Sequence, residues 1–579
     1  MNKIYTNLVK EAIRRKISDP KSFLIFKKNF CSRRKISFPT NADLREIYNK
    51  LLKSRKIKKS EALEKAMLSR AVRTQSGVAV VAVFTKPYSC PGKCLYCPTE
   101  KGMPKSYLSN EPAVMRAIAN NFDPYSQIQS RIKALELNGH ATDKIELIVM
   151  GGTFSHFPAA YQQWFITECF RACNEYPRKI KNQKSKIKIN EKLLIGEQIR
   201  NEKAKHRIIG LTLETRPDYI NEKEIINFRK LGCTRVELGV QSIFNDVLWI
   251  NKRGHNVEKT IEATKLLKDA GFKINYHIMP GLPGSNLKND YRMFKKLFSD
   301  PDFQPDMLKI YPTVVVKSSP LYKIWKSSAK KLNSKSIKLS KKTIIHFTPA
   351  GVKRIIAKYK PLRDKQFSDF IVKVKNEVIP PYVRISRLVR DVPATSILAG
   401  PKISNLRQII IPRSKCRCIR CREVGADYKI NERIVLDRIN YKASGGDEIF
   451  LQYVSPDKKK LFALLRLRIP KQGSSQNFQV KVQPWDLKRL NLGKFWKTLR
   501  NAVLIREVHT YGKLAKINKK DKSSPQHIGL GKKLMREAER IAKEEFNLNK
   551  IVVISGIGVR DYYRRLGYRQ KDTYMVKNL

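Results

Sequence analysis

Acidic residues are scarce in this sequence: 50 Asp and Glu stand against 118 Lys and Arg, a formal net charge of +68 over 579 residues. Self-repulsion on that scale works against a compact state unless an anionic partner offsets it, and phosphate backbones do so with release of counterions. Long apolar runs are missing too. No stretch of about 18 apolar residues occurs, and the opening MNKIYTNLVKEAIRRK has no signal-type segment, so neither a membrane span nor a secretory leader is expected. There is no internal repeat and no low-complexity linker. Cysteines number only ten, and six of them fall in two tight clusters, Cys90, Cys94, Cys97 and Cys416, Cys418, Cys421. Such clustering signals metal rather than disulfides, and with it a reducing, cytoplasmic location.

What is present is enough to fold. Hydrophobic residues make up 41% of the chain, which argues against a largely disordered protein, and the length exceeds what one core usually organises. Residues 1–75 read as a small basic helical region with an anion-binding role. Over residues 1–80, 21 Lys and Arg stand against 6 acids, with Leu8, Ile13, Leu44, Ile47, Leu51 and Leu52 at helical spacing. From Val78 the texture changes to VAVVAVF, IELIVM, IIGLTLE, RVELGV, FKINYHIM and LKIYPT, separated by helical stretches. That alternation predicts a partial, TIM-like (βα)6 barrel over 76–345, with functional residues at the carboxyl ends of its strands. The lysine-rich stretch 178–207 reads as a surface insertion. A connector over 346–427 follows, and 428–579 is a new α+β region with strands EIFLQYV, LFALLRLRI, AVLIREVHTYG and IVVISG. The fold class is therefore α/β and multidomain.

Three constellations carry chemistry. The first is Cys90, Cys94 and Cys97, at C-x3-C-x2-C spacing immediately after an apolar strand. Three thiolates on one loop can wrap a [4Fe-4S] cluster and leave its fourth iron open to a small chelator; the alternative is a zinc knuckle short of one ligand. With Tyr96 before the last cysteine, this is the radical S-adenosylmethionine signature. Gly151 and Gly152, Glu214, Glu237 and Gln241 end successive strands, where a glycine pair and carboxylates can receive the methionine, ribose and ammonium of that cofactor. His277 is a weaker candidate. The second constellation is Gln526, Gly529 and Gly531 in QHIGLG at a helix start, which suits a pyrophosphate, with SGIGVRDYYRRLGY downstream. A dinucleotide fold is its rival, but that loop would open a domain rather than sit near the chain's end. The third is Cys416, Cys418 and Cys421, suited to zinc with a fourth ligand from elsewhere, His346 being one candidate; reduced structural cysteines are the alternative. Cys31, Cys169, Cys173 and Cys233 read as packing residues.

A radical S-adenosylmethionine domain followed by an acetyltransferase of the Gcn5-related type, in this order, resembles the catalytic subunit of Elongator and its stand-alone archaeal and bacterial relatives. KPYSCPGKCLYCP, IVMGGTF, LTLETRPDYI, TRVELGVQS, RISRLVRDVP, CRCIRCREVG, REVHTYG, QHIGLG and SGIGVRDYYRRLGY carry the resemblance. It implies 5-carboxymethyluridine formation at wobble position 34 of tRNA, with acetyl-CoA as carbon source. Cluster-driven cleavage of S-adenosylmethionine would make a deoxyadenosyl radical that takes hydrogen from the acetyl methyl group. The carbon radical would then add to uracil C5, and hydrolysis would free the product. By the same matching, Lys144, Glu507, Val508, His509, Thr510, Leu530, Gly531, Lys532 and Tyr563 contact acetyl-CoA, with Lys144, His509 and Tyr563 catalytic. Implied partners are the anticodon stem-loop and an electron donor, with a homodimer or Elongator-like subunits as further options and no membrane. The runner-up reading is a protein lysine N-acetyltransferase with a structural iron–sulfur domain, which would need a general base and a peptide groove. A non-catalytic tRNA scaffold fits the charge but leaves both cofactor motifs unused.

Overall fold

The computed structural model describes residues 2–68, 77–177, 190–332, 359–425, 432–471, 492–512 and 529–579. His346, Gln526 and residues 178–189 lie outside them; most of the rest of the stretch expected as a surface insertion is instead helix Glu191–Lys203, packed on the barrel with Leu194 and Asn201 buried.

Four helices open the chain: α1 (Asn2–Arg14), α2 (Pro20–Arg33), α3 (Asn41–Lys53) and α4 (Glu61–Ala66). Leu8, Phe23, Leu44, Tyr48 and Leu63 form their own core. Side-chain caps start three of them: Asp19, Thr40 and Ser60 each accept a backbone N–H of the first turn.

The six alternating apolar runs become β1 (Ala79–Phe84), β2 (Lys144–Met150), β3 (Arg207–Thr215), β4 (Arg235–Gln241), β5 (Lys273–Ile278) and β6 (Met307–Ile310). All pair in parallel and in chain order. A short ribbon pairs β7 (Val315–Val316) with β9 (Ile397–Ala399). One element differs from expectation. RISR, placed in the connector, is β8 (Arg384–Arg387), a seventh parallel strand beside β6. Its four residues offer too short an apolar run to read as a strand; pairing with Met307–Lys309 supplies what periodicity cannot.

The C-terminal region is a second seven-stranded sheet in the order β10-β11-β12-β13-β14-β16-β15. Its strands are β10 (Val435–Ala443), β11 (Gly446–Val454), β12 (Leu461–Pro470), β13 (Val503–Thr510), β14 (Lys550–Val553), β15 (Arg569–Lys571) and β16 (Tyr574–Asn578). Four were legible; the edge strands β10 and β15, and the short β16 between β14 and β15, were not. Helix Leu530–Arg540 packs Leu534 and Met535 into this sheet's core.

The two sheets meet through a buried ionic lattice at the amino ends of the barrel strands. LFALLRLRI and VLIRE carry arginines inside apolar strands, and each finds a carboxylate. Asp306 accepts from Arg506 (2.5 Å) and lies 3.6 Å from Arg466 and 3.8 Å from Lys268. Glu448 binds Arg506 (2.8 Å) and Arg468 (3.1 Å), and Arg468 also meets Asp269 (2.5 Å). Backbones close the remaining gap: a Cβ on Gly556 would overlap the Ile209 carbonyl, and one on Gly558 would sit 3.1 Å from the Ile208 carbonyl. Removing one partner of such a lattice strands buried charge, at about 3–5 kcal/mol. Asp306→Ala is therefore expected to lower chemical-denaturation stability by several kcal/mol, whereas Glu262→Ala, which breaks the exposed Lys259–Glu262 pair (2.6 Å), changes it by less than about 1 kcal/mol.

Candidate active site

One cavity of about 1540 Å³ runs through the barrel and opens onto the C-terminal sheet. At the carboxyl ends of the strands its wall includes Cys90, Cys94, Cys97, Gly152, Glu214, Glu237, Gln241 and His277; at the amino ends, Glu507, Val508, His509, Thr510, Gly529, Gly531, Lys532 and Tyr563. Seven-residue β2 sets the separation of the two ends, about 20 Å at the usual rise per residue.

The cysteine loop follows β1. Burial opposes ionisation of Cys94, but the Arg253 guanidinium, 3.4 Å from its Sγ, outweighs that and holds the thiol below its usual range. Arg216 Nη1 is buried without a hydrogen-bond partner, and a Cβ on Gly92 would overlap that guanidinium. Arg216 pairs with Asp218 through Nε and Nη2, and three thiols beside its remaining Nη1 and the Arg253 guanidinium fit an anionic thiolate-ligated cluster.

Beyond the loop, Gly151 and Gly152 adopt φ of +132° and +106°, which side chains rarely tolerate. A Cβ on Gly151 would overlap the Thr85 hydroxyl; Gly151 itself packs there, and Gly152 faces the cavity. Glu214 and Glu237 stand side by side in register on β3 and β4. Tyr107 donates to Glu214 (2.9 Å), while Asn275 (3.1 Å), His277 (3.0 Å) and Lys309 hold Glu237. Burial would raise both carboxyls. At Glu237 the Lys309 ammonium and His277 win, keeping it well below the usual carboxylate range, whereas Glu214 stays raised. Glu214 Oε1 is buried with no hydrogen-bond partner, which fits an incoming hydroxyl or ammonium. Lys309, Tyr107 and Arg253 were not foreseen; the signal for Lys309 was a lysine inside the apolar run LKIYP.

At the other end, Glu507 pairs with Lys273 (3.1 Å) and Arg466 (2.9 Å), and Arg384 with Glu423 (2.5 Å). These pairs, with Arg235 on Glu146, make a charged collar around the cavity where the two sheets meet. Gly529, at φ +79°, starts helix Leu530–Arg540 with no side-chain cap among the described residues, which leaves first-turn N–H groups for a ligand. Tyr563 is buried on the cavity wall, and burial pushes its phenol up. The side chain of Leu530 packs in the C-terminal core. Lys144 opens β2 beside Arg207 and is not part of the cavity wall.

His509 lines the cavity, its ring tilted against Tyr511 (4.3 Å between centroids), with Nε2 shielded and unbonded among the described residues. Burial pushes its pKa down to about 4, although the Glu507 carboxylate works against the shift. Between pH about 6.5 and 4 the unfolded chain therefore holds a proton on this histidine that the folded chain does not. Stability should fall as pH drops through that window, by up to about 1.4 kcal/mol per pH unit from this group. Denaturation series over that range check it: His509→Gln should flatten the slope by about one proton.

The Radical SAM superfamily model matches residues 86–297, and the Radical_SAM C-terminal domain model matches 335–415. With the parallel half-barrel and its cysteine loop, that defines a radical S-adenosylmethionine enzyme bearing a second, mixed-sheet domain. Relatives align over nearly the whole chain. The tRNA uridine(34) acetyltransferase of Methanocaldococcus infernus is 43% identical, covering 94% of this chain and 92% of its own. That of Dehalococcoides mccartyi is 40% identical over 88% and 100%, and human Elongator complex protein 3 is 37% identical over 88% and 86%. The solved structure of archaeal Elp3 from M. infernus with an N-terminal deletion superposes with a TM-score of 0.66 at 41% identity, covering 87% of this chain and all of that one. The chain belongs to the family of tRNA uridine(34) acetyltransferases and Elongator complex protein 3.

Proposed function

We propose that this enzyme carboxymethylates C5 of the wobble uridine of tRNA, drawing the carbon from acetyl-CoA. The observation that carries the reading is the single cavity joining the cysteine loop to the glycine turn at Gly529. When bound, the [4Fe-4S] cluster and S-adenosylmethionine supply one-electron access to a carbon radical. Everything else falls to this chain. Cys90, Cys94 and Cys97 hold the cluster, and Arg253 and Arg216 balance its charge. Gly152 lets backbone approach the cofactor, while Glu214, Glu237 and Gln241 bind its polar groups. The Gly529 turn, Gly531 and Lys532 hold the CoA pyrophosphate. Glu507 to Thr510 and Tyr563 line the acetyl end, where neutral His509 can accept a proton from water attacking the thioester. Closure of the sheets around the collar keeps bulk water from the reacting carbon.

Substrate recognition rests on charge. Lys105, Arg116, Arg387, Arg390 and Lys402 are among the residues lining the cavity, and the N-terminal helices add a second basic surface for the tRNA backbone. Zn2+ is the reading for Cys416, Cys418 and Cys421: their thiols lie within 4.8 Å of one another, and Lys375 Nζ is 3.2 Å from Cys421. Residue by residue, Lys144 belongs to this reading only as a group near the amino end of β2.

The test is anaerobic reconstitution with tRNA, acetyl-CoA, S-adenosylmethionine and reductant, followed by nucleoside mass spectrometry. Carboxymethyluridine that requires all four supports the reading. Acetyl-lysine on a protein acceptor, with unmodified tRNA, overturns it.

A further inference from the structure

We propose that Lys273 is a catalytic residue of this site, its ammonium stabilising the oxyanion formed when water attacks the CoA thioester. The inference deepens the proposed function and rests on its reading of Glu507 to Thr510 and Tyr563 as the acetyl end of the cavity. That reading supplies His509 as the base for the water. It leaves the charge that develops on the carbonyl oxygen without a partner.

Strand β5 runs along the cavity. Lys273, Asn275 and His277 line it, while Ile274, Tyr276 and Ile278 pack in the core, as the two-residue period of a strand requires. His277 stands at the cofactor end beside Glu237, and Lys273, four residues earlier and about 13 Å away at the usual rise, stands at the acetyl end. Its ammonium donates to Glu507 at 3.1 Å. Glu507 accepts in turn from Arg466 Nε at 2.9 Å, and Arg466 is anchored on the Tyr382 carbonyl at 2.7 Å. A buried guanidinium thus fixes the carboxylate, and the carboxylate fixes the lysine head. Burial works to raise Glu507, but Lys273 and Arg466 outweigh it and hold the carboxyl well below its usual range.

An ammonium has three donors. Among the described residues Lys273 spends one, on Glu507, and its side chain is 19% exposed on the cavity wall. Other cations near the junction are committed further: Arg384 to both Glu423 and Tyr511, and fully buried Lys268 to Asp306 and Glu448. Lys309 serves Glu214 and Glu237 at the opposite end. Burial keeps His509 neutral, with Arg384 and Lys273 adding to it, so this ammonium and the proton-accepting imidazole act on one space.

The step balances without a further reactant. The water oxygen bonds to the thioester carbon, its proton passes to His509, and the carbonyl π pair moves onto oxygen beside Lys273. As that pair returns, the carbon–sulfur bond breaks, and the CoA sulfur leaves with the proton from His509. The new carboxyl ionises to solvent, and Lys273 keeps its protons throughout.

Full-length reconstituted enzyme with tRNA is assayed for acetyl-CoA hydrolysis as wild type, Lys273→Met and Lys273→Arg. Lys273→Met should lower kcat about 100-fold or more, and Lys273→Arg, which returns a cation, should recover about a tenth of wild-type activity. Two unhydrolysable CoA ketones separate catalysis from binding: the acetonyl analogue, which keeps a carbonyl, and the trifluoroacetonyl analogue, which hydrates to a tetrahedral carbon. Lys273→Met should bind the first within about threefold of wild type and the second about tenfold or more weakly. A kcat within about threefold of wild type in Lys273→Met overturns the proposal. So does equal weakening of both analogues, which would make Lys273 a part of the binding wall only. Wild-type enzyme that binds neither analogue and hydrolyses no acetyl-CoA overturns the reading of the acetyl end, and the proposal with it.

Discussion

Cys94→Ala should leave the enzyme without a cluster and reduce deoxyadenosine formation to background, while tRNA and acetyl-CoA still bind. Three thiolates are the minimum that can wrap the cube, so the loss is all-or-none rather than graded. Cys94 is also the buried cysteine whose charge Arg253 compensates. A second substitution separates ligation from its support: Arg253→Gln keeps three thiolates but removes the cation, and should weaken cluster retention about 10- to 100-fold. Iron and sulfide content per chain, read beside S-adenosylmethionine cleavage, measures both. Full cleavage by Cys94→Ala would contradict the assignment of the loop.

Gly529→Glu should silence the opposite end. Gly529 sits at φ +79°, where a side chain is strained by about 1–2 kcal/mol, and no described residue lies within 4 Å of where its Cβ would stand. The added carboxylate would occupy the space where the pyrophosphate meets the helix start. Like charge at a helix N-terminus replaces an attractive contact with a repulsive one. Acetyl-CoA hydrolysis and carboxymethyluridine formation should both be lost, with cluster content and tRNA affinity unchanged. Gly529→Ala, with the strain but not the charge, should retain measurable binding in a calorimetric titration.

Much of this site was legible because its chemistry demands unusual residues at fixed spacing. Cys90, Cys94 and Cys97 declared themselves by interval, and the barrel by the recurrence of apolar runs, each of which became a strand. Residues whose meaning depends on a distant partner were silent. Lys309 reads as an oddity in LKIYP until Glu237, 72 positions earlier, takes its ammonium. Arg466, Arg468 and Arg506 interrupt apolar strands in a way that suggests solvent-facing positions, yet they are buried against Asp306, Glu448 and Asp269 across the domain junction. β8 was missed for the same reason, since four residues become a strand only when β6 offers an edge. Lys144 shows the opposite limit: a motif match named it, while the chain placed it outside the cavity wall.

The central claim is that the cavity brings the acetyl group, carried by a CoA anchored at one end, to the radical formed at the other. It is tested most directly with acetyl-CoA deuterated at the methyl carbon, incubated anaerobically with the reconstituted enzyme, tRNA, S-adenosylmethionine and reductant. Mass spectrometry should find deuterium in 5′-deoxyadenosine and deuterium retained at the new methylene of carboxymethyluridine. Unlabelled deoxyadenosine formed alongside the modified nucleoside would contradict it.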